Sequence, residues 1–316
     1  MRRPFSAYFF MSLFMFFSSL SQQSLAKVYI NVSVDWEGRE ISERNIKAIE
    51  IFRKNHPHIP MLHFLNAAYF TKKNSDAEKI KNKMHRVLNK DDEYGLHIHS
   101  WKTLVTRAGV EYRSTPTWSR WGDSGDCSRD CGHGVPLWAY TEKELRKVIR
   151  FSLDTLENQG FGRAISFRSG GWMSSKKVLT ALAREGLTMD ASAVPRGFLE
   201  SSQPVITSWV DKIWGRIKTT SQPYEVETVG GKILEFPNNG CLSDYMTGKM
   251  MLSVFKDNVE VWQKDQDKNI FVSIGFHQET AERYLPQLER AIELIEKYSK
   301  KYKVSMAYTV NPLRHL

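Results

Sequence analysis

Apolar positions along this chain alternate between two periods, and the alternation repeats from residue 28 almost to the C-terminal end. Val28 to Val34 is an apolar run of strand length, and Met61 to Leu65 is a second one that follows Pro57 and Pro60. Between them Ile46, Ile49 and Phe52 recur at helical spacing, which predicts a helix over about 42–55. Ser75 with Glu78 has the pattern of a capping box and opens a second helix that turns Ile80, Met84 and Leu88 inward. A third strand runs through Leu96 and Ile98. Thr141 with Glu144 then opens a third helix, whose inner face is Leu145, Ile149, Leu153 and Leu156. Ala164–Phe167 reads as a strand, 175–185 as a helix closed by Gly186, and a short strand leads to Asp190. Lys232–Phe236 is a strand stopped by Pro237, followed by a helix over about 251–263 and a buried strand, Ile270–His277. A helix over about 281–300 and a strand over Val304–Tyr308 complete the series, while 195–229 shows no clear period.

Strands alternating with amphipathic helices predict a parallel sheet covered by helices. About seven such units fit either a (β/α) barrel or an open doubly wound sheet. No G-x-G-x-x-G follows the first strand and no Walker loop occurs, which disfavours the nucleotide-binding sheet. The polar candidates Asp35, Glu37, His97, His99, Arg168, Asp190 and His277 all sit where strands end, as barrel active sites do, so the pattern predicts a barrel. No repeat or long low-complexity linker divides residues 27–316, which predicts one domain. Residues 101–140 have no period and are rich in Trp, Gly and Ser, the composition of a functional loop or lid inserted into that domain.

The N-terminal end changes the picture of where the protein works. Arg2 and Arg3 precede an apolar run, Tyr8 to Leu20, too short for a good membrane span, and Ser24-Leu25-Ala26 offers small residues for cleavage. Residues 1–26 therefore read as a signal peptide, with export to a periplasm or outside the cell and no stable membrane anchor after cleavage. Loss of two arginines takes the formal charge from +10 to +8, a basic balance suited to an anionic envelope glycan or membrane face. No zinc finger, RNP-like or helix-turn-helix signature points to nucleic acid. In an oxidising compartment Cys127 and Cys131 predict a local disulfide with Cys241 left over; the competing reading is a small metal site of Cys127, Cys131 and His133.

The chemistry concentrates in two short stretches. Glu93-Tyr94-Gly95-Leu96-His97-Ile98-His99 places two imidazoles on one face of a strand, half of a zinc site. Val32-Ser33-Val34-Asp35-Trp36-Glu37 places two carboxylates two residues apart after an apolar strand. A lone strand histidine is more often packed or solvated than a ligand, but H-x-H and D-x-E at two strand ends favour a metal if the strands are neighbours.

These stretches, with Phe167-Arg168-Ser169-Gly170-Gly171-Trp172 and Ile274-Gly275-Phe276-His277, resemble the motifs of the polysaccharide deacetylase family, the NodB-homology domain of carbohydrate esterase family four. The resemblance spans roughly Val28 to Tyr308 and implies a distorted seven-stranded (β/α) barrel of the NodB-homology type. Two features depart from the family pattern. Trp36 stands where a second adjacent aspartate is usual, and Trp101 stands four after His97 where a histidine is usual, so Glu37 and His99 must substitute.

What the resemblance implies is a divalent metal, zinc first, held by Glu37, His97 and His99, acting on the N-acetyl groups of a glycan. Asp35 would be the base, His277 the acid toward the leaving amine, Arg168 the group orienting the base, and Asp190 a support for His277. The resemblance also admits the exchanged roles, with Asp35 as the ligand and Glu37 as the base. Trp101, Trp118, Trp121, Trp138 and Trp172 suit either sugar stacking or loop packing. Two further readings stay beside the deacetylase: a catalytically silent carbohydrate-binding relative, and a deformylase or amidase for another amide.

Overall fold

Among the described residues nine strands build the sheet: β1 (Val28–Asp35), β2 (Met61–Leu65), β3 (Glu93–Ile98), β4 (Ser166–Ser169), β5 (Met189–Asp190), β6 (Tyr224–Thr228), β7 (Gly231–Glu235), β8 (Ile270–His277) and β9 (Met306–Tyr308). The computed structural model describes residues 27–119, 127, 130–199 and 204–316, so the leader 1–26 and Trp121 lie outside the described residues. Seven strands run parallel in the order β7-β5-β4-β3-β2-β1-β8, and β6 pairs antiparallel with β7 as an appended hairpin. β9 pairs the first residues of β1. The ring is closed by the chain leaving β7. Asn238 N–H donates to the Ala193 carbonyl at 2.7 Å, while Gly240 and Ser243 N–H donate to Ser273 and Gly275 of β8 at 2.9 and 2.8 Å. The result is a distorted seven-stranded (β/α) barrel whose last seam is irregular backbone.

The hydrophobic residues separate accordingly into two clusters. The larger lies between strands and helices and includes Ile46, Ile49 and Phe52 of helix Glu43–Asn55 and Leu145, Ile149, Leu153 and Leu156 of helix Glu142–Asn158. Each such aliphatic side chain contributes about 1.5–3 kcal/mol by leaving water. The smaller, Leu62, Phe64, Met189, Ala191, Leu234, Phe236 and Phe271, draws only on strands and their immediate continuations and forms the apolar part of the barrel interior. Parallel register brings the polar strand ends to one rim. Asp35 is level with His277, His97 with Arg168, and Asp190 with Glu235.

Local chemistry explains where the elements differ from the expected ones. The second helix runs Ala77–His85 and its cap is Asp76, which accepts from Lys79 N–H, whereas the Ser75 hydroxyl donates to the Phe70 carbonyl; Leu88 lies beyond the helix end. The Thr141–Glu144 capping box is present with both reciprocal bonds. Within 101–140 the chain forms a helix, Lys102–Arg107, and a 3-10 turn, Leu137–Ala139. The stretch without period, 195–229, holds helix Pro204–Trp214 and β6.

Candidate metal centre

Glu37 lies just beyond the end of β1, and the backbone turns away immediately after it. Gly38 has φ +77°, and a Cβ there would lie 2.9 Å from both Asn66 and the Trp101 indole nitrogen. The Trp101 Nε1–H donates to the Glu37 carbonyl at 2.8 Å, and Asn66 donates to the same carbonyl. The side chain so held is buried and meets four imidazoles. His97 Nε2 is 3.2 Å and His277 Nε2 3.5 Å from Oε1, whereas His99 Nε2 is 3.0 Å and His133 Nε2 2.6 Å from Oε2. Burial raises the Glu37 pKa, but His99, His277, His133 and His97 together outweigh it and hold the carboxyl well below its usual range.

The ring nitrogens on the far side fix the tautomers. His97 Nδ1 lies 2.8 Å from the Arg168 carbonyl, and His99 Nδ1 lies 2.8 Å from the His133 carbonyl. A carbonyl only accepts, so each Nδ1 carries the proton and a neutral ring offers its Nε2 lone pair; burial works against charge on His97, but the Glu37 and Asp35 carboxylates outweigh it and raise its pKa. Metal-ligating histidines are oriented in this way, with the second nitrogen donating to a carbonyl. His99 Nε2 is buried and, among the described residues, has no hydrogen-bond partner; its 3.0 Å contact with Glu37 lacks hydrogen-bond alignment. Burial also lowers the His99 pKa, and burial with His99 and Arg39 nearby lowers that of His133 well below its ordinary value. Neutral lone pairs turned on a carboxylate leave an electrostatic gap that a cation fills, so the residues present fit a divalent metal. The tightest donor set is Glu37, His99 and His133, with ligand atoms within 4.8 Å of one another.

The structure therefore brings Glu37, His97 and His99 together and adds His133, which strand logic did not reach. His133 comes from the inserted segment, which is tied to the rim at several points. Cys127 and Cys131 form a disulfide, and Cys241 is free and buried. The Cys127–Cys131–His133 metal alternative is thereby excluded, since its sulfurs are spent on each other. Asp130 accepts from Thr103 Oγ1 at 2.6 Å, and the Cys131 carbonyl accepts from Lys102 N–H at 2.7 Å. Gly170 is required on the opposite side, because a Cβ there would lie 2.6 Å from the His99 ring.

Asp35 lies inside the barrel mouth, close enough to His97 and His277 for its charge to raise both their pKa values. Its carboxylate accepts from Arg168 Nη1 at 2.7 Å, and the same nitrogen donates to Ser33 Oγ at 2.8 Å. Arg168 is fully buried, and its Nε–H donates to the Ala191 carbonyl at 2.9 Å. Asp190 is not the support of His277. That place is taken by Asp244, from the segment that closes the barrel, whose Oδ2 is 3.1 Å from His277 Nδ1. Asp190 lies across the barrel, accepting from Ser192 Oγ at 2.6 Å beside the buried Glu235. The reason is topological: β5 lies between β4 and β7, whereas residues 240–243 run against β8. Burial opposes charging of His277, but Asp244 and then Glu37 raise its pKa to about 10. A further carboxyl, Glu279, accepts from Glu37 N–H at 3.2 Å and from Tyr69; burial and Glu37 lift it to about 7. The two were readable only as an acid in an unpatterned stretch and as an H-x-E ending to β8. Trp101 and Trp172 spend their indole N–H groups inside the protein, on Glu37 and Asn238, while Trp118 lines a cavity of about 200 Å³ that opens onto Glu37, His99, His133 and His277.

A parallel (β/α) barrel with a carboxylate and imidazoles gathered at the C-terminal rim of its strands is the architecture that the motif resemblance implies. No protein-family model matches the chain and no curated protein matches it. Among solved structures it is similar to a candidate polysaccharide deacetylase from Mycobacterium smegmatis, at 10% identity over 91% of this chain and 95% of that one, with a TM-score of 0.49. It is also similar to a family 4 carbohydrate esterase from Streptomyces lividans, at 10% identity over 92% and 96% of the two chains, with a TM-score of 0.45. A 4-alpha-glucanotransferase from Thermococcus litoralis matches at 10% identity over 92% of this chain and 41% of its own, with a TM-score of 0.48. Likenesses of this size concern the general chain path and carry no residue roles.

Proposed function

We propose that this protein is a metal-dependent amide hydrolase that removes N-acetyl groups from an amino-sugar polysaccharide of the envelope or extracellular space. The observation that carries the reading is the buried His99 Nε2, without a hydrogen-bond partner among the described residues, turned with His97 and His133 onto the Glu37 carboxylate. Glu37, His99, His97 and His133 would hold the ion, and a nitrogen-rich set of this kind favours zinc. Bound there, the metal supplies Lewis acidity, lowering the pKa of water toward about 7 and polarising an amide carbonyl.

The remaining work belongs to the chain. Asp35, kept in place by Arg168, takes a proton from the water that attacks the acetamide carbon. The carbon–nitrogen bond then breaks, and the amine leaves with a proton from His277, which Asp244 keeps charged. Acetate and a free amino sugar are the products. Export of residues 27–316 after loss of 1–26 rests on the leader's composition, and the basic balance of the chain suits an anionic envelope.

Zinc-loaded protein incubated with N-acetylglucosamine oligomers is expected to release acetate, and the Asp35→Asn variant to keep its metal while losing turnover. Formate release from an N-formylated sugar, with no acetate from the acetylated one, selects the deformylase reading. Metal-free wild type that binds oligomers and accepts no zinc selects the silent carbohydrate-binding relative.

A further inference from the structure

A second cavity, of about 410 Å³, is lined by Trp138, Ser175, Lys177, Trp209, Lys212 and Ile213. Trp138 belongs to the turn Leu137–Ala139 and Trp209 to helix Pro204–Trp214. Their ring centroids are 5.3 Å apart with planes at 77°, so the two half-buried indoles make walls of a cleft rather than a flat stack. Trp118 connects this cleft with the metal centre: it lies 6.1 Å from the His99 ring and 6.5 Å from Trp209. Aromatic side chains therefore run without interruption from the imidazole cluster to the cleft.

The polar groups around the indoles have one sign. Lys177 and Lys212 are exposed, and among the described residues no carboxylate lines the cavity. Lys177 Nζ donates to the Trp138 carbonyl at 2.8 Å, which fixes the turn that carries the indole. Ser175 stands at the N-cap of helix Lys176–Arg184 yet makes no capping bond, and its buried hydroxyl is without a hydrogen-bond partner among the described residues. Flat aromatic walls take the C–H faces of a sugar ring, the hydroxyl and ammonium groups take its oxygens, and the two lysines favour a sugar that carries a negative charge.

We infer that the Trp138–Trp209 cleft is a distal subsite that holds an acidic sugar residue of the same glycan whose N-acetylated residue lies at the metal centre. The inference rests on the glycan reading of that centre. Calorimetric titration separates the two. The probes are the neutral N-acetylglucosamine hexamer and a peptide-free peptidoglycan strand of similar length, which carries a carboxylate on every second sugar. Lys212→Glu is expected to weaken binding of the strand roughly fivefold and to leave the hexamer within about twofold. Trp209→Ala is expected to weaken both about tenfold, with metal content and circular dichroism unchanged. Should Trp209→Ala disturb its helix, the exposed Lys212→Glu decides alone. Variants that bind both glycans as wild type does overturn the subsite, as does a wild type that binds neither. Binding altered as described without acetate release keeps the subsite and removes the hydrolase. Acetate release with variant binding unchanged does the reverse.

Discussion

Replacing Arg168 by Met removes the cation that the barrel mouth is built around. The guanidinium has no solvent exposure, donates to Asp35, Ser33 and the Ala191 carbonyl, and lies 4.4 Å from the Phe64 ring. Methionine restores the apolar contact with Phe64 but leaves the Asp35 carboxylate in the interior without its counter-ion. Breaking a buried pair from one side costs about 3–5 kcal/mol, because the surviving charge is neither hydrated nor paired. Asp35→Asn alone should cost less, about 1–3 kcal/mol, since Arg168 keeps two acceptors and remains near Asp190. In the double variant no orphaned charge remains on the Asp35 side, so the combined loss should fall short of the sum by at least about 1 kcal/mol. Urea unfolding of the four proteins at pH 7, followed by circular dichroism, measures the cycle. An Arg168→Met loss under about 1 kcal/mol, or strictly additive losses, refutes the claim that this pair anchors the base.

Two further outcomes follow from the same geometry. Gly170→Ala should push the His99 ring out of line, raising the Kd for zinc at least about tenfold while urea stability changes by less than about 2 kcal/mol; unchanged zinc affinity contradicts the close approach. The Asp190–Glu235 pair should set a pH slope. Burial, then Asp190 beside it, holds Glu235 well above its usual 4.5, and burial lifts Asp190 from 3.8 to about 6. A raised carboxyl keeps its proton in the folded protein where the unfolded chain has lost it, so its stabilising share is complete below about pH 4 and declines as pH rises through about 6. Glu235→Gln keeps a donor to Asp190 with no proton to lose, and should flatten that decline and be the more stable protein at pH 8. Parallel stability curves for the two proteins would count against a shared proton.

The strands, their order of polar endings and most of the residues gathered in the candidate site were legible because a buried parallel strand writes itself as an apolar run whose last residues are exposed to chemistry. Asp35, Glu37, His97, His99, Arg168 and His277 all end such runs, and parallel register carries them to one rim. His133 was legible only as a ligand of the Cys127–Cys131 alternative and not of the rim site, since its position there depends on a disulfide and on Asp130 and Lys102 contacts distant in sequence and not on any period. Asp244 was missed for a related reason: the last seam of the barrel is irregular backbone, so nothing in the local pattern shows that it runs against β8. Asp190 was given the partner of a neighbour it does not have, because strand adjacency is not written along a single strand. Ser75 and Asp76 are both good helix caps, and only the fold decides that the serine hydroxyl goes to Phe70.

The most direct measurement is the metal content, by mass spectrometry, of protein purified without chelators, wild type against His97→Ala, His99→Ala, His133→Ala and Asp35→Asn. About one divalent ion per chain is expected in wild type and Asp35→Asn, with a loss in the three histidine variants that includes His133→Ala. A wild type that binds no divalent ion, or a His99→Ala variant that holds one as tightly as wild type, would contradict the metal reading.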